Sequence, residues 1–187
     1  MCASSLKLGF LGAGYLTAQA IFFLVFLKVV PMFGLRIVWQ MTVLIQLLLY
    51  GILQASPYYS VTMLAMIFSG AVSGRFAFSY VYLGDLLHSK HLSAVTAVFQ
   101  GLDALTIAFW SLYFRYISNN YRYFFSFVCL ILLGVLFLAR FFLVESPAYL
   151  FQNGKKEQAK SIFVRIAAFN KKDPAEVRSI IDRSELG

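Results

Sequence analysis

Val144-Glu145-Ser146-Pro147-Ala148-Tyr149-Leu150 is the seam of this chain. Upstream of it nearly every residue is apolar. Downstream the chain becomes charged and takes on helical periodicity. Of its 187 residues, 60% are hydrophobic and only 13% charged, against about 25% charged in an average soluble domain. A soluble fold of this length has too little interior to hide that surplus, whereas a bilayer accepts it. The chain therefore reads as all-α: a bundle of membrane-spanning helices over 1–144, followed by a water-facing helical tail over 145–187.

A span takes about 20 apolar residues. No charge falls between Lys7 and Lys28, which places a first span at 8–27. A signal peptide is the competing reading of this run, but its apolar core of about 7–15 residues is too short to match. From Ile37 to Gly74 there is again no charge, and the stretch is too long for one crossing. Pro57 cannot sit inside a helix and restrains Ser56 before it, so the run divides into spans at 37–55 and 59–83. A polar loop from Asp85 to His91 precedes a span at 92–113. The turn Ser118-Asn119-Asn120 precedes the last, at 123–144.

The net charge of +8 raises the question of nucleic acid. Here the cations flank apolar runs, the pattern by which membrane proteins fix their orientation, so no nucleic-acid partner is expected. Lys28 and Arg36 lie between spans one and two, Lys90 between three and four, and Arg140 and a lysine-rich tail close the fifth. The bias places these loops and the tail in the cytosol and the N-terminus outside. Tyr50, Tyr58, Tyr59, Trp110, Tyr113, Tyr116, Tyr121 and Tyr123 fall where an outer aromatic belt belongs. Cys2 and Cys129 are the only cysteines, one at the N-terminus and one inside an apolar run, so no disulfide framework is expected, and His88 and His91 flank Lys90 without further ligands, so neither metal nor cofactor is expected.

Ser146 suits an N-cap, Pro147 the first helical position, and Asn153-Gly154 a stop. Ala159, Ile162, Phe163, Ile166 and Ala167 recur at helical spacing, and Asp173-Pro174-Ala175-Glu176 opens a last helix.

Glu145-Ser146-Pro147-Ala148-Tyr149-Leu150, then Asn153-Gly154-Lys155-Lys156-Glu157-Gln158-Ala159, resembles the segment after the sixth helix of major facilitator superfamily transporters, in their sugar-porter and organic-ion branches. Those branches carry a Glu-Ser-Pro-Arg-(Trp/Tyr)-Leu run there. Gly74-Arg75 looks like part of the family's fourth helix, and Tyr121-Arg122-Tyr123-Phe124-Phe125 like the start of its sixth. Phe33-Gly34-Leu35-Arg36 looks like a worn copy of its Asp-Arg-x-Gly-Arg-Arg loop. The resemblance implies that the five spans correspond to helices two to six of twelve, with helix one and the second half absent. It also makes Gly34, Arg36, Glu145, Ser146 and Pro147 motif positions. Two departures stand out: Pro31 falls where the family has its loop aspartate, and Ala148 where it has arginine.

Arg75 and Asp103 are ionisable groups inside apolar spans, where charges usually face the bundle interior and find partners. Counted from the loop between spans three and four, each is about 15–17 Å deep at ~1.5 Å per residue. They are therefore expected to pair, either as a solute or proton site or as a structural ion pair. Ser93, Thr96, Gln100, Asp103 and Thr106 recur every three or four residues and form one polar face, suited to a pathway or to interhelical hydrogen bonds. Gly70 and Gly74 form a GxxxG, which permits close helix packing. The expected function is secondary transport of a small solute, a sugar or organic ion by resemblance, in a lipid bilayer and with a second transporter half as partner. The alternative is a truncated, non-transporting membrane protein that only packs or scaffolds. An enzyme is not expected, because the His clusters and acidic motifs of membrane-embedded enzymes are missing.

Overall fold

The computed structural model describes residues 5–87, 89–118 and 120–173, and these residues form an all-helical fold. In chain order the helices are α1 (Ser5–Phe33), α2 (Leu35–Ala55), α3 (Tyr59–Ser73), α4 (Arg75–Leu86), α5 (Ser89–Leu112), α6 (Tyr121–Phe142), α7 (Pro147–Gln152) and α8 (Lys156–Phe169). A π-helical turn, Tyr113–Ile117, extends α5. Among the described residues, five helical stretches are long and apolar enough to cross a membrane: α1, α2, α3 with α4, α5 with its π turn, and α6.

The packed part of the bundle is α1 against α3, with α2 wedged between α3 and α6. The α1–α3 contact is close because α3 presents small residues. Ser69, Gly70, Ala71, Val72 and Ser73 are all buried, and Gly70 lies against the Tyr15 backbone. Such contacts drive helix association in lipid, where apolar side chains gain little by leaving the solvent. Phe26, Leu35, Val38 and Phe78 form a cluster at the tail end, joining α1, α2 and α4. At the other end Trp110, Tyr113, Phe114, Phe124 and Phe125 stack on one another, and Tyr50 and Tyr121 pack on Phe125. No described residue of α5 is buried. The helix meets α4 near the intervening loop, and its Trp110 packs on Phe124 of α6 at the aromatic end.

Three boundaries differ from the sequence expectation. The first span does not end at 27: α1 continues through Lys28 and Pro31 to Phe33, and the joint to α2 is the single residue Gly34. Lys28 is exposed, so its long side chain can carry the ammonium away from the apolar surface without ending the helix. Pro31 lies in the final turn, where little of the helix remains to be disturbed. The third span is two helices. The Ser73 hydroxyl donates to the Gly70 carbonyl at 2.6 Å, and the Gly74 N–H bonds the Ala71 carbonyl instead, at 3.3 Å. This side-chain competition for a helical acceptor breaks the register between α3 and α4. The last span begins at Tyr121, because the Asn120 side chain accepts the Arg122 N–H at 3.0 Å and caps α6.

The Ser146 side chain caps α7 by accepting the Tyr149 N–H at 3.3 Å, with Pro147 first in the helix. Gly154, at φ +71°, ends that segment, and the Lys155 N–H reaches the Leu150 carbonyl. Ala159 and Ala167 are the buried face of α8, which packs on α7 with Phe151 near Phe163. The helix expected from Asp173-Pro174-Ala175-Glu176 lies outside the described residues, as do Cys2 and His88.

Candidate functional site

Two polar assemblies lie in the bundle. The first knits its tail end together. The last carbonyls of a helix have no partner within it, and α6 ends where neighbouring side chains can reach those groups. The Arg36 guanidinium donates to the Arg140 carbonyl at 2.9 Å, and Gln40 adds a second donor, at 3.2 Å, to the Ala139 carbonyl that already takes the Leu143 N–H. Just beyond, the Tyr82 hydroxyl donates to the Val144 carbonyl at 2.8 Å. The chain then turns, and Glu145 faces the Gly34 joint. Its Oε1 accepts the Arg36 N–H at 3.1 Å and the Ser146 N–H at 3.2 Å. The Ser146 hydroxyl donates to the Asp85 carboxylate, and the Tyr149 hydroxyl reaches the Met32 carbonyl at 3.5 Å. One carboxylate thus ties the start of α2 to the start of the tail, and α4 is drawn in by Asp85 and Tyr82. Gly34, Arg36, Glu145, Ser146 and Pro147, far apart in sequence, come together here. Gln40 and Tyr82 join them without having been singled out in the sequence, as do Asp85, Arg140 and Tyr149, which the sequence marked only as a loop residue, an orientation cation and part of the seam.

The second assembly runs along α2 at mid-span. Gln46 is only 2% exposed and its Oε1 accepts from Arg75 Nη1 at 3.3 Å. The same nitrogen donates to the Val72 carbonyl at 3.3 Å, and the guanidinium carbon lies 5.0 Å from the Phe76 ring centre. Tyr50 faces Gln46, and both Tyr50 and Tyr15 are within electrostatic range of Arg75. Two turns along α2 towards the tail, Trp39 donates to the Ser79 hydroxyl at 3.2 Å, and that hydroxyl donates to the Arg75 carbonyl at 3.2 Å. In the other direction Gln54 accepts from Ser126 at 2.9 Å and donates to the Cys129 sulfur at 3.4 Å. The signal for this ladder was present in the sequence. Thr42, Gln46, Tyr50 and Gln54 recur every four residues on one face of α2, as the polar positions of α5 do on theirs.

The expected pairing of Arg75 with Asp103 does not form. Arg75 turns into the α2–α3 contact and is held by neutral groups, while Asp103 is exposed on α5. Equal depth along two helices fixes height, not direction around each axis. Of the α5 stripe, Thr96 is half-buried and Ser93, Gln100, Asp103 and Thr106 are exposed. Thr96 and Thr106 return their hydroxyls to the carbonyls four residues back, Leu92 and Leu102, at 2.7 and 2.8 Å. Gly70 lies close against the Tyr15 backbone of α1. Gly74 makes no comparably tight contact and marks the helix break instead. Among the described residues no group of three or more His, Cys, Asp or Glu side chains converges as a metal site.

No curated protein matches the chain. The family model described as "Sugar (and other) transporter" matches residues 2–186, nearly the whole length. The match covers far more than half of the chain and agrees with the five described helices long and apolar enough to cross a membrane, and the chain belongs to the sugar (and other) transporter family.

Proposed function

We propose that this chain forms one half of a secondary transporter that moves a small polar solute, a sugar or an organic ion, by alternating access. The solute pathway in this reading runs between the bundle and a second transporter half, as in transporters built from repeated halves. The carrying observation is α5. It has the length and hydropathy of a membrane span, yet its polar face is uncovered and holds a carboxylate, Asp103. A carboxylate facing lipid at mid-span costs about 2.5–3.5 kcal/mol, so the face is suited to water, solute or a partner helix rather than to acyl chains. Ser93, Thr96, Gln100, Asp103 and Thr106 line the pathway in this reading. Arg75, half-buried on α4, stands at its edge and fixes α4 to α2. The tail sits in the cytosol, with the latch around Glu145 holding α2, α4 and α6 together on that side.

The test is uptake of a mixed panel of labelled sugars and organic ions into sealed vesicles carrying the full-length protein. Wild-type uptake above empty vesicles is expected, as is its loss, at least tenfold, in Asp103→Asn at unchanged abundance. An Asp103→Asn protein that falls in abundance but keeps its uptake per molecule assigns Asp103 to structure and overturns the pathway reading. No uptake of any solute by abundant wild-type protein favours the scaffold alternative.

A further inference from the structure

Arg75 sits inside the span formed by α3 and α4, half-buried and without an acidic partner. Among the described residues no carboxylate lies within ion-pairing distance of its guanidinium. Asp103 is exposed on α5 and forms no ion pair with it. A guanidinium has five N–H bonds. Both hydrogen bonds made here leave from Nη1, to Gln46 Oε1 and to the Val72 carbonyl, each at 3.3 Å. Nε and Nη2 meet no acceptor among the described residues. Those two nitrogens form one edge of the planar fork with which arginine holds a carboxylate through two parallel bonds.

The surroundings of Arg75 suit an anion. Tyr15 of α1 and Tyr50 of α2 are within electrostatic range, and each carries a hydroxyl able to donate. The helix α4 begins at Arg75, so the positive end of its dipole adds to the charge. The opposing end of α3 is occupied by the chain itself. There the Ser73 hydroxyl takes the Gly70 carbonyl, the Gly74 N–H that of Ala71, and Arg75 that of Val72. A cation is repelled by this arrangement, and a neutral sugar leaves the charge uncompensated. In transporters with discontinuous helices, half-helix N-termini at mid-membrane face anionic groups of the solute. We infer that Arg75 is the solute-binding cation of the pathway, and that the solute is an organic anion whose carboxylate lies on Nε and Nη2. Gln46 is a positioning residue, because its bond to Nη1 fixes the plane of the fork. The inference rests on the reading of the chain as half of a transporter, and narrows its solute from a sugar or an organic ion to a carboxylate.

The purified full-length protein in detergent is titrated with benzoate and succinate and, as uncharged isosteres, with benzamide and succinamide. At least one acid is expected to bind about tenfold more tightly than its amide, the effect of charge-assisted bonds in place of neutral ones. Arg75→Gln is expected to bring each acid to the affinity of its amide. That variant also alters the contact with Gln46, so Arg75→Lys, which keeps the charge but not the fork, serves as the second. It is expected to bind the acids more weakly than the wild type and more tightly than Arg75→Gln. Equal affinity for acid and amide in the wild-type protein overturns the inference, a comparison that holds whether or not the variants fold. So does a preference that survives Arg75→Gln, or inorganic phosphate bound as tightly as the acids, the mark of an adventitious ion only. Binding is read here without transport, so the two readings fail separately. Uptake of a sugar by protein that prefers no carboxylate overturns this inference alone. Carboxylate binding without uptake of any solute leaves Arg75 an anion site and overturns the transporter reading.

Discussion

Gly70→Leu is expected to remove most of the folded protein from the membrane and to leave the remainder with a Tm lower by up to about 10 °C in detergent. A Cβ at position 70 would fall on the Tyr15 carbonyl oxygen and 2.8 Å from the Tyr15 ring. Neither can move away cheaply: the oxygen belongs to the α1 backbone, and the ring packs in the same helix contact. Extra methylenes in a well-packed interior typically cost about 1–3 kcal/mol, and here they fall on the most extensive helix pair in the bundle. Gly70→Ala should lower the Tm by less than Gly70→Leu. Gly9→Ala and Gly101→Ala, at positions with nothing within 4 Å of the added atom, should have no such effect. Detergent-solubilised yield and thermal unfolding measured across the series check the ranking. A Gly70→Leu protein as stable as Gly101→Ala would mean that α1 and α3 do not touch here.

Gly34→Val is expected to be nearly as damaging, for a different reason. Gly34 sits at φ +90° and ψ +152°, a region open almost solely to glycine, where other residues cost about 1–3 kcal/mol. An added Cβ would also lie 2.7 Å from Glu145 Oε2 and 3.1 Å from the Tyr149 ring. Pushing Glu145 aside leaves the Arg36 and Ser146 N–H groups without their acceptor, and each buried donor left unpaired adds about 1–3 kcal/mol. The expected result is a lowered Tm together with a tail that a protease cuts readily around α7. Glu145→Ala alone isolates the second cause: it leaves the Arg36 and Ser146 N–H groups without their acceptor while Gly34 keeps its backbone freedom, so its Tm should fall by less than that of Gly34→Val. A Glu145→Ala protein as destabilised as Gly34→Val would show that the joint carries no strain.

Much of the fold was legible because apolar runs are hard to disguise. Five uncharged or nearly uncharged stretches in 144 residues announce five candidate spans, and Ser146-Pro147 announces the helix that starts the tail. The single-residue joint at Gly34 was not legible. Lys28 and Arg36 look like loop cations, but both lie on helices, with Arg36 reaching the end of α6. The break at Gly74 was hidden too, since it depends on a serine hydroxyl taking a backbone acceptor within an otherwise helical run. In the candidate site, hydropathy drew the eye to charges and passed over amides. Arg75 was noticed while its partner Gln46, the most deeply buried polar side chain on α2, was not. The pairing expected for Arg75 rested on depth alone. A helix has a direction around its axis as well as a height, and only packing reveals it.

The central claim is that α5 crosses the membrane with its polar face on a water-filled pathway. Single cysteines at 93, 96, 100, 103 and 106, and at the exposed apolar positions 98, 102 and 105, placed in a chain lacking Cys2 and Cys129, test it most directly. A membrane-impermeant thiol reagent applied to the protein in native membranes is expected to label the five stripe positions and to spare Val98→Cys, Leu102→Cys and Leu105→Cys. Uniform labelling of all eight would place α5 outside the bilayer, and a stripe as unreactive as the apolar positions would mean that no aqueous pathway runs along it.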